Sequence, residues 1–188
     1  YTQPTAAMYH VTTDNAFLGP LKGGSAEPTY GGALSFMRRR YSRDFARVDA
    51  VVWGIPFDQA TTNRPGARFG PQAIRRASAI FDGDPQYPFG FDIFADLAVV
   101  DYGDVALDLH SPLSIPETIE AEARAILAAD VHLLALGGDH FITWPLLKAH
   151  AAKYGPLALV QFDAHQDTWA DDGRKLSHGS FVGRAVRE

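Results

Sequence analysis

The 188-residue sequence predicts an α/β fold, a three-layer α/β/α arrangement around a central parallel sheet. Three observations predict it. Short apolar runs rich in Val, Leu and Ile recur along the chain, helical stretches of about 10–15 residues separate several of them, and Pro- and Gly-rich joints punctuate the sequence. The runs are continuous rather than alternating, as expected of strands buried on both faces by flanking helices.

Residues 1–46 are irregular and rich in Gly, Pro, Thr and Ser, with a short helical candidate at 33–37. The cluster Arg38, Arg39, Arg40 reads as a solvated surface. The first strand is expected at 48–54 (VDAVVWG), closed by Ile55-Pro56. A polar loop, FDQATTNRPGARFG, leads to Pro71, a good first helical residue, and a helix to about Phe81. The second strand is LAVVD at 97–101, and Asp101 at its end and Asp104 beyond it read as turn-forming residues. Ser114-Ile-Pro-Glu117 has capping-box spacing and opens an Ala-rich helix to Ala129. VHLLAL at 131–136 is the third strand, 140–154 a helix, and LALVQF at 157–162 the fourth strand. No repeat or linker breaks the chain, so one domain over 1–188 is expected, with 1–46 as an N-terminal extension.

Composition narrows the function classes. Hydrophobic residues make up 46% and charged ones 21%, as in globular proteins. The net charge of −5 argues against nucleic acid, which needs a basic face, and suits a small cation. With no cysteine there is no disulfide, thiolate nucleophile or Cys-type zinc site. No apolar run approaches the roughly 18 residues of a membrane span. No basic start followed by an apolar run opens the chain, so a cytoplasmic location is the default.

Chemistry concentrates where the fourth strand ends. In extended chain, residues i, i+2 and i+4 share a face, so Asp163, His165 and Asp167 converge if that conformation persists. The preceding strand ends in Gly137-Gly138-Asp139-His140, and a right-handed crossover would bring His140 to the same point. Ligands of parallel sheets bind beyond the carboxyl ends of strands. His140, Asp163, His165 and Asp167 are therefore candidate metal ligands, whose mixed oxygen and imidazole donors favour an ion such as manganese over structural zinc. The other reading makes the aspartates helix-capping loop residues and the histidines partly buried and hydrogen-bonded. His178, eleven residues beyond Asp167, is a candidate proton shuttle. Trp169 is near enough to line a pocket, whereas Trp53 and Trp144 read as packing residues; His10, His110, His132 and His150 lack ligand-like spacing.

LGGDHFITWPLL, VQFDAHQDT and LSHGS together resemble the arginase/agmatinase (ureohydrolase) family, and GIPFDQATTNRPGARFGPQAIR resembles its agmatinase branch. The resemblance runs from Phe36 to the end and implies an arginase-like parallel-sheet fold. It implies two manganese ions: His140 would bind one, His165 the other, Asp163 would bridge them, and Asp167 would return to the first. His178 matches the family's proton-shuttling histidine. Ions about 3.5–4 Å apart would acidify a bridging water, and the resulting hydroxide would attack the guanidinium carbon to release urea and an amine. A homo-oligomer is also implied. GRKLSHGS stands where arginases carry a segment holding the substrate α-carboxylate, which favours agmatine, giving putrescine and urea; guanidinobutyrate or another guanidino acid is the alternative.

One departure qualifies this. The family's late Asp-x-Asp motif, which completes both metal shells, has no counterpart, since no aspartate follows Asp172. The expectation is that the chain is a fragment lacking the C-terminal part of the fold, and that these 188 residues alone do not complete the site. The competing expectations are a noncatalytic subunit with an incomplete metal shell and an unrelated mononuclear metal hydrolase.

Overall fold

A computed structural model describes residues 19–24, 27–81 and 85–188, so the first 18 residues of the irregular stretch, His10 included, lie outside it. Four strands form one sheet: β1 (Arg40–Tyr41), β2 (Ala50–Ile55), β3 (Val99–Asp104) and β4 (His132–Gly137), in the order β1-β3-β2-β4. β1 and β3 run parallel, with Arg40 opposite Val100 and Tyr41 opposite Asp101. The helices are α1 (Gly70–Ser78), α2 (Ile115–Ala128), α3 (Thr143–Tyr154) and α4 (Phe181–Arg187). This is the expected α/β fold, a parallel sheet with flanking helices. The central strands β2 and β3 are almost wholly buried, whereas edge strand β4 alternates between exposed and partly covered residues along most of its length.

The described residues pack as two compact units divided inside β2, one comprising those up to Val52 and within 72–103, the other Trp53–Pro71 with Asp104–Glu188. In the first, a buried ion pair organises the packing. Arg75 of α1 donates from Nε to Asp101 Oδ2 (2.7 Å) and from Nη2 to Asp101 Oδ1 (2.9 Å). Asp101 also accepts the N–H groups of Phe36 (2.7 Å) and Gly103 (3.0 Å), so this aspartate is a buried strand residue that ties together three segments and not the turn former its sequence position suggests. Asp104 likewise ends β3.

The arginine cluster is also corrected. Arg38 and Arg39 are buried, because their guanidinium groups satisfy backbone carbonyls: Arg38 Nε donates to Ala79 O (3.1 Å) and Arg39 Nη1 to Gly23 O (2.7 Å). Arg39 also lies 3.8 Å over the Phe94 ring. The helical candidate at 33–37 is a single 3-10 turn, Phe36–Arg38, whose Met37 has φ 46, a conformation no helix continues.

In the second unit α2 buries Ile115, Ile119, Ala123, Ile126 and Leu127, a spacing of three to four that marks one helix face. Trp53 and Trp144 are buried, as their sequence context suggests. Ser114 makes no side-chain cap: its own backbone is already helical (φ −85, ψ −12), as the last residue of the 3-10 turn Pro112–Ser114, and its hydroxyl donates back to Ser111 O at 2.8 Å. The helix expected from His140 starts as a 3-10 turn, His140–Ile142, before α3.

The largest departure is the fourth strand. Residues 157–162 form no strand, and Leu157, Leu159, Val160 and Phe162 are exposed, Phe162 at 99%. A strand requires a neighbouring backbone to take its N–H and C=O groups, and β-branched composition does not supply one. β4 therefore remains the edge on this side.

Replacing Asp101 with Asn should lower the unfolding free energy by about 3 kcal/mol, because it leaves the Arg75 charge buried without its partner. Urea denaturation followed by far-UV circular dichroism measures this; a loss under about 1 kcal/mol would show that the pair is not what holds the first unit together.

Candidate metal centre

Every residue of the candidate site belongs to the second unit. It begins with a tight turn after β4. Gly138 adopts φ +60, and a Cβ there would lie 2.4 Å from Ile55 O and 2.7 Å from Phe57 O, so glycine is required for this close approach. Asp139 follows, its N–H donating to Phe57 O at 2.7 Å. Its carboxylate accepts the Phe141 N–H (2.9 Å), capping the 3-10 turn, and the Ala60 N–H (3.0 Å). Burial pushes the Asp139 carboxyl above its ordinary range, opposed by those two N–H donors. His140 is thereby held at the start of the turn, with its ring against Phe181 of α4 at a centroid distance of 4.4 Å.

Three of the four candidate ligands meet. His140 Nδ1 lies 2.8 Å from Asp163 Oδ2 and 3.0 Å from Asp167 Oδ2, and one donor atom from each residue falls within 4.8 Å of the others. His165 is not in this group: its side chain is 83% exposed, and its Nδ1 stands 3.6 Å from Asp163 Oδ1. The extended conformation that would place it on the shared face does not persist. Asp163 Oδ1 accepts the His165 backbone N–H at 2.8 Å, bending the chain in an Asx-type turn, and Asp167 takes φ 49. That same N–H holds the Asp163 carboxyl below the ordinary range.

The donor set fits a cation better than a hydrogen-bond network. One imidazole nitrogen carries at most one proton, yet it faces two carboxylate oxygens, so a single N–H cannot serve both well. Cis ligands on an octahedral ion with arms of about 2.1 Å sit about 3.0 Å apart, close to the two separations found. The arrangement is a candidate metal-binding group of one imidazole and two carboxylates.

These residues line a cleft of about 550 Å³ together with His165, Thr62, Trp169 and His178. Trp169 thus lines the pocket its sequence position suggests. The His178 ring meets Trp169 edge-on (centroids 6.4 Å, interplanar 85°), and its Nε2 is 3.3 Å from Thr62 Oγ1. The loop bearing Thr62 is closed by Asp58, which is buried and accepts N–H groups from Gly66 (2.7 Å) and Arg68 (3.3 Å) and the Arg68 Nε at 2.6 Å. The Arg68 guanidinium holds the Asp58 carboxyl below its ordinary range. The segment on the other side is clamped by Asp171, which accepts the Ser180 hydroxyl and Arg184 Nη2 (2.9 Å). Asp58, Thr62, Asp139 and Asp171 escape a reading based on ligand spacing; the signal for the first three is the FDQATTNRPGARFG stretch and the aspartate directly before His140, and Asp171 has none.

A family model described as the Arginase family matches residues 48–188. The chain belongs to the arginase family. It is 57% identical over 170 residues to an agmatinase of Chromobacterium violaceum, covering 89% of this chain and 53% of that protein. An agmatinase of Neisseria meningitidis serogroup C is 43% identical over 144 residues, covering 76% and 47%. Among solved structures, a hypothetical agmatinase from Burkholderia thailandensis superposes with TM-score 0.89 at 56% identity, covering 93% of this chain and 56% of that one. Proclavaminate amidino hydrolase from Streptomyces clavuligerus gives TM-score 0.77 at 35% identity, covering 86% and 54%. The chain spans about half the length of the curated relatives it matches. Among the described residues no helix is long and apolar enough to cross a membrane.

Because the folded-state Asp58 pKa is depressed, its contribution to stability is complete above the unfolded value of about 3.9 and is lost as pH falls through the folded value. Asp58→Asn should therefore be less stable than the parent at pH 7, with the gap closing below about pH 4. Urea midpoints at pH 7 and pH 3 test this; a gap of equal size at both would contradict it.

Proposed function

We propose that the intact protein is a manganese-dependent hydrolase of guanidino compounds, agmatine first among them, yielding putrescine and urea. The observation that carries this is His140 Nδ1 set between the Asp163 and Asp167 carboxylates in a cleft that His178 also lines. Similarity to proteins named agmatinase supports the substrate. His140, Asp163 and Asp167, with His165 recruited by rotation of its exposed ring, would hold the metal. When bound there, manganese would supply Lewis acidity and lower the pKa of a water toward neutral pH.

The chain's own residues account for the rest. The net charge of −5 favours the approach of a positive guanidinium. Trp169 forms an apolar wall that limits water around the planar group. His178 Nε2, at the cleft, is the group that carries a proton to the departing amine. The same reading takes the protein to be a cytoplasmic homo-oligomer that acts on a small cation. A guanidino acid is the second reading, favoured by the 35% identity to proclavaminate amidino hydrolase.

The intact protein supplied with manganese should release urea from agmatine faster than from guanidinobutyrate or arginine, and Asp163→Asn should reduce turnover by at least about a hundredfold. A colorimetric urea assay across the three substrates decides this. Preference for a guanidino acid would replace agmatine as substrate, and unchanged turnover by the Asn variant would overturn the ligand assignment.

A further inference from the structure

We infer that Thr62 is the positioning residue that orients the His178 ring over the cleft, an inference that rests on the proposed hydrolase reading for its functional consequence. The His178 backbone is fixed independently of its ring: its N–H points to Ala60 O at 3.4 Å, and the next residue, Gly179, accepts the Trp169 N–H at 2.9 Å. Trp169 borders one side of the ring. What fixes rotation about the side chain is the contact at Nε2, and that contact is the Thr62 hydroxyl at 3.3 Å.

A hydroxyl suits this role because it both donates and accepts. It can accept from a protonated Nε2 or donate to a bare one by turning about its C–O bond, so it keeps the ring in place in either protonation state and introduces no charge. A carboxylate at the same place would favour the charged imidazolium.

Thr62 can act this way only if its loop is rigid, and the loop is tied on both sides. Asp58 closes it through Gly66 and Arg68, and the Thr61 hydroxyl donates to Asp58 O at 2.9 Å. Ala60 is tied in two directions: its N–H donates to Asp139, the residue before His140, and its carbonyl faces the His178 N–H. The loop therefore sets the spacing between the His140 turn and His178, and Thr62 completes it by fixing the ring.

The test compares Thr62→Val, which keeps the β-branched shape without the hydroxyl, with Thr62→Ser, which keeps the hydroxyl. Thr62 is exposed, so neither change disturbs the core. In the metal-free intact protein, imidazole 15N spectra should show altered His178 signals in Thr62→Val and parental signals in Thr62→Ser. With manganese and agmatine, Thr62→Val should lose about tenfold in kcat, with KM and the manganese affinity by calorimetry unchanged, and Thr62→Ser should retain parental kcat. Unaltered His178 signals in Thr62→Val, or equal losses in both variants, would overturn the inference. Altered ring signals in an intact protein that releases no urea from any guanidino compound would support the positioning role and sink the hydrolase reading.

Discussion

The Asp139 carboxylate accepts N–H groups from two separate stretches of chain, Phe141 at 2.9 Å and Ala60 at 3.0 Å, while almost completely buried. Much of the site's geometry depends on that pair of bonds. One caps the turn that presents His140; the other anchors the loop that carries Thr62 and offers a carbonyl to His178. Burial works against the charged form, so the two N–H donors must offset desolvation for the carboxylate to stay ionised. The Gly138 conformation belongs to the same constraint, since only a residue without a Cβ lets this turn sit against Ile55 O and Phe57 O.

The cleft concentrates negative charge that the protein itself neutralises only in part. Asp58 has Arg68 and Asp171 has Arg184, so these two structural aspartates around the cleft are each matched by a cation. Asp163 and Asp167 share the His140 imidazole nitrogen, and Asp163 also accepts the His165 backbone N–H. Asp139, by contrast, is held by two backbone N–H groups and no cation, and Asp163 and Asp167 have no Lys or Arg ion-pair partner among the described residues.

The periodic parts of the fold were legible in the sequence. The apolar runs behind β2, β3 and β4 and the Ala-rich run behind α2 announce themselves because burial imposes a pattern on neighbouring residues. Arg38, Arg39 and Asp101 were illegible for the opposite reason: a buried charge is tolerated when its partner lies far along the chain, as Asp101 and Arg75 are 26 residues apart. At the centre, the D-x-H-x-D spacing announced Asp163 and Asp167 and the preceding G-G-D-H announced His140. It did not foresee that the His165 ring would stand apart from the other three, since an alternation argument holds only while the chain stays extended, and an aspartate two residues before an N–H is a good reason for it not to.

Residues 157–162 show how the centre keeps its shape without the strand expected to lead into it. The upstream side offers no ladder, with Val160 and Phe162 exposed. Order is imposed from downstream instead. Val182 N and Gly183 N, in the first turn of α4, donate to Asp167 O at 3.1 and 3.5 Å, and Trp169 N donates to Gly179 O at 2.9 Å. In the same helix Phe181 packs against the His140 ring and Arg184 clamps Asp171. The first turn of a helix has N–H groups with no partner inside it, and here two of them meet the carbonyl of a candidate ligand residue. The position of Asp167 is therefore a property of α4, and a change in that helix's first turn would reach the candidate centre before any change in residues 157–162 did.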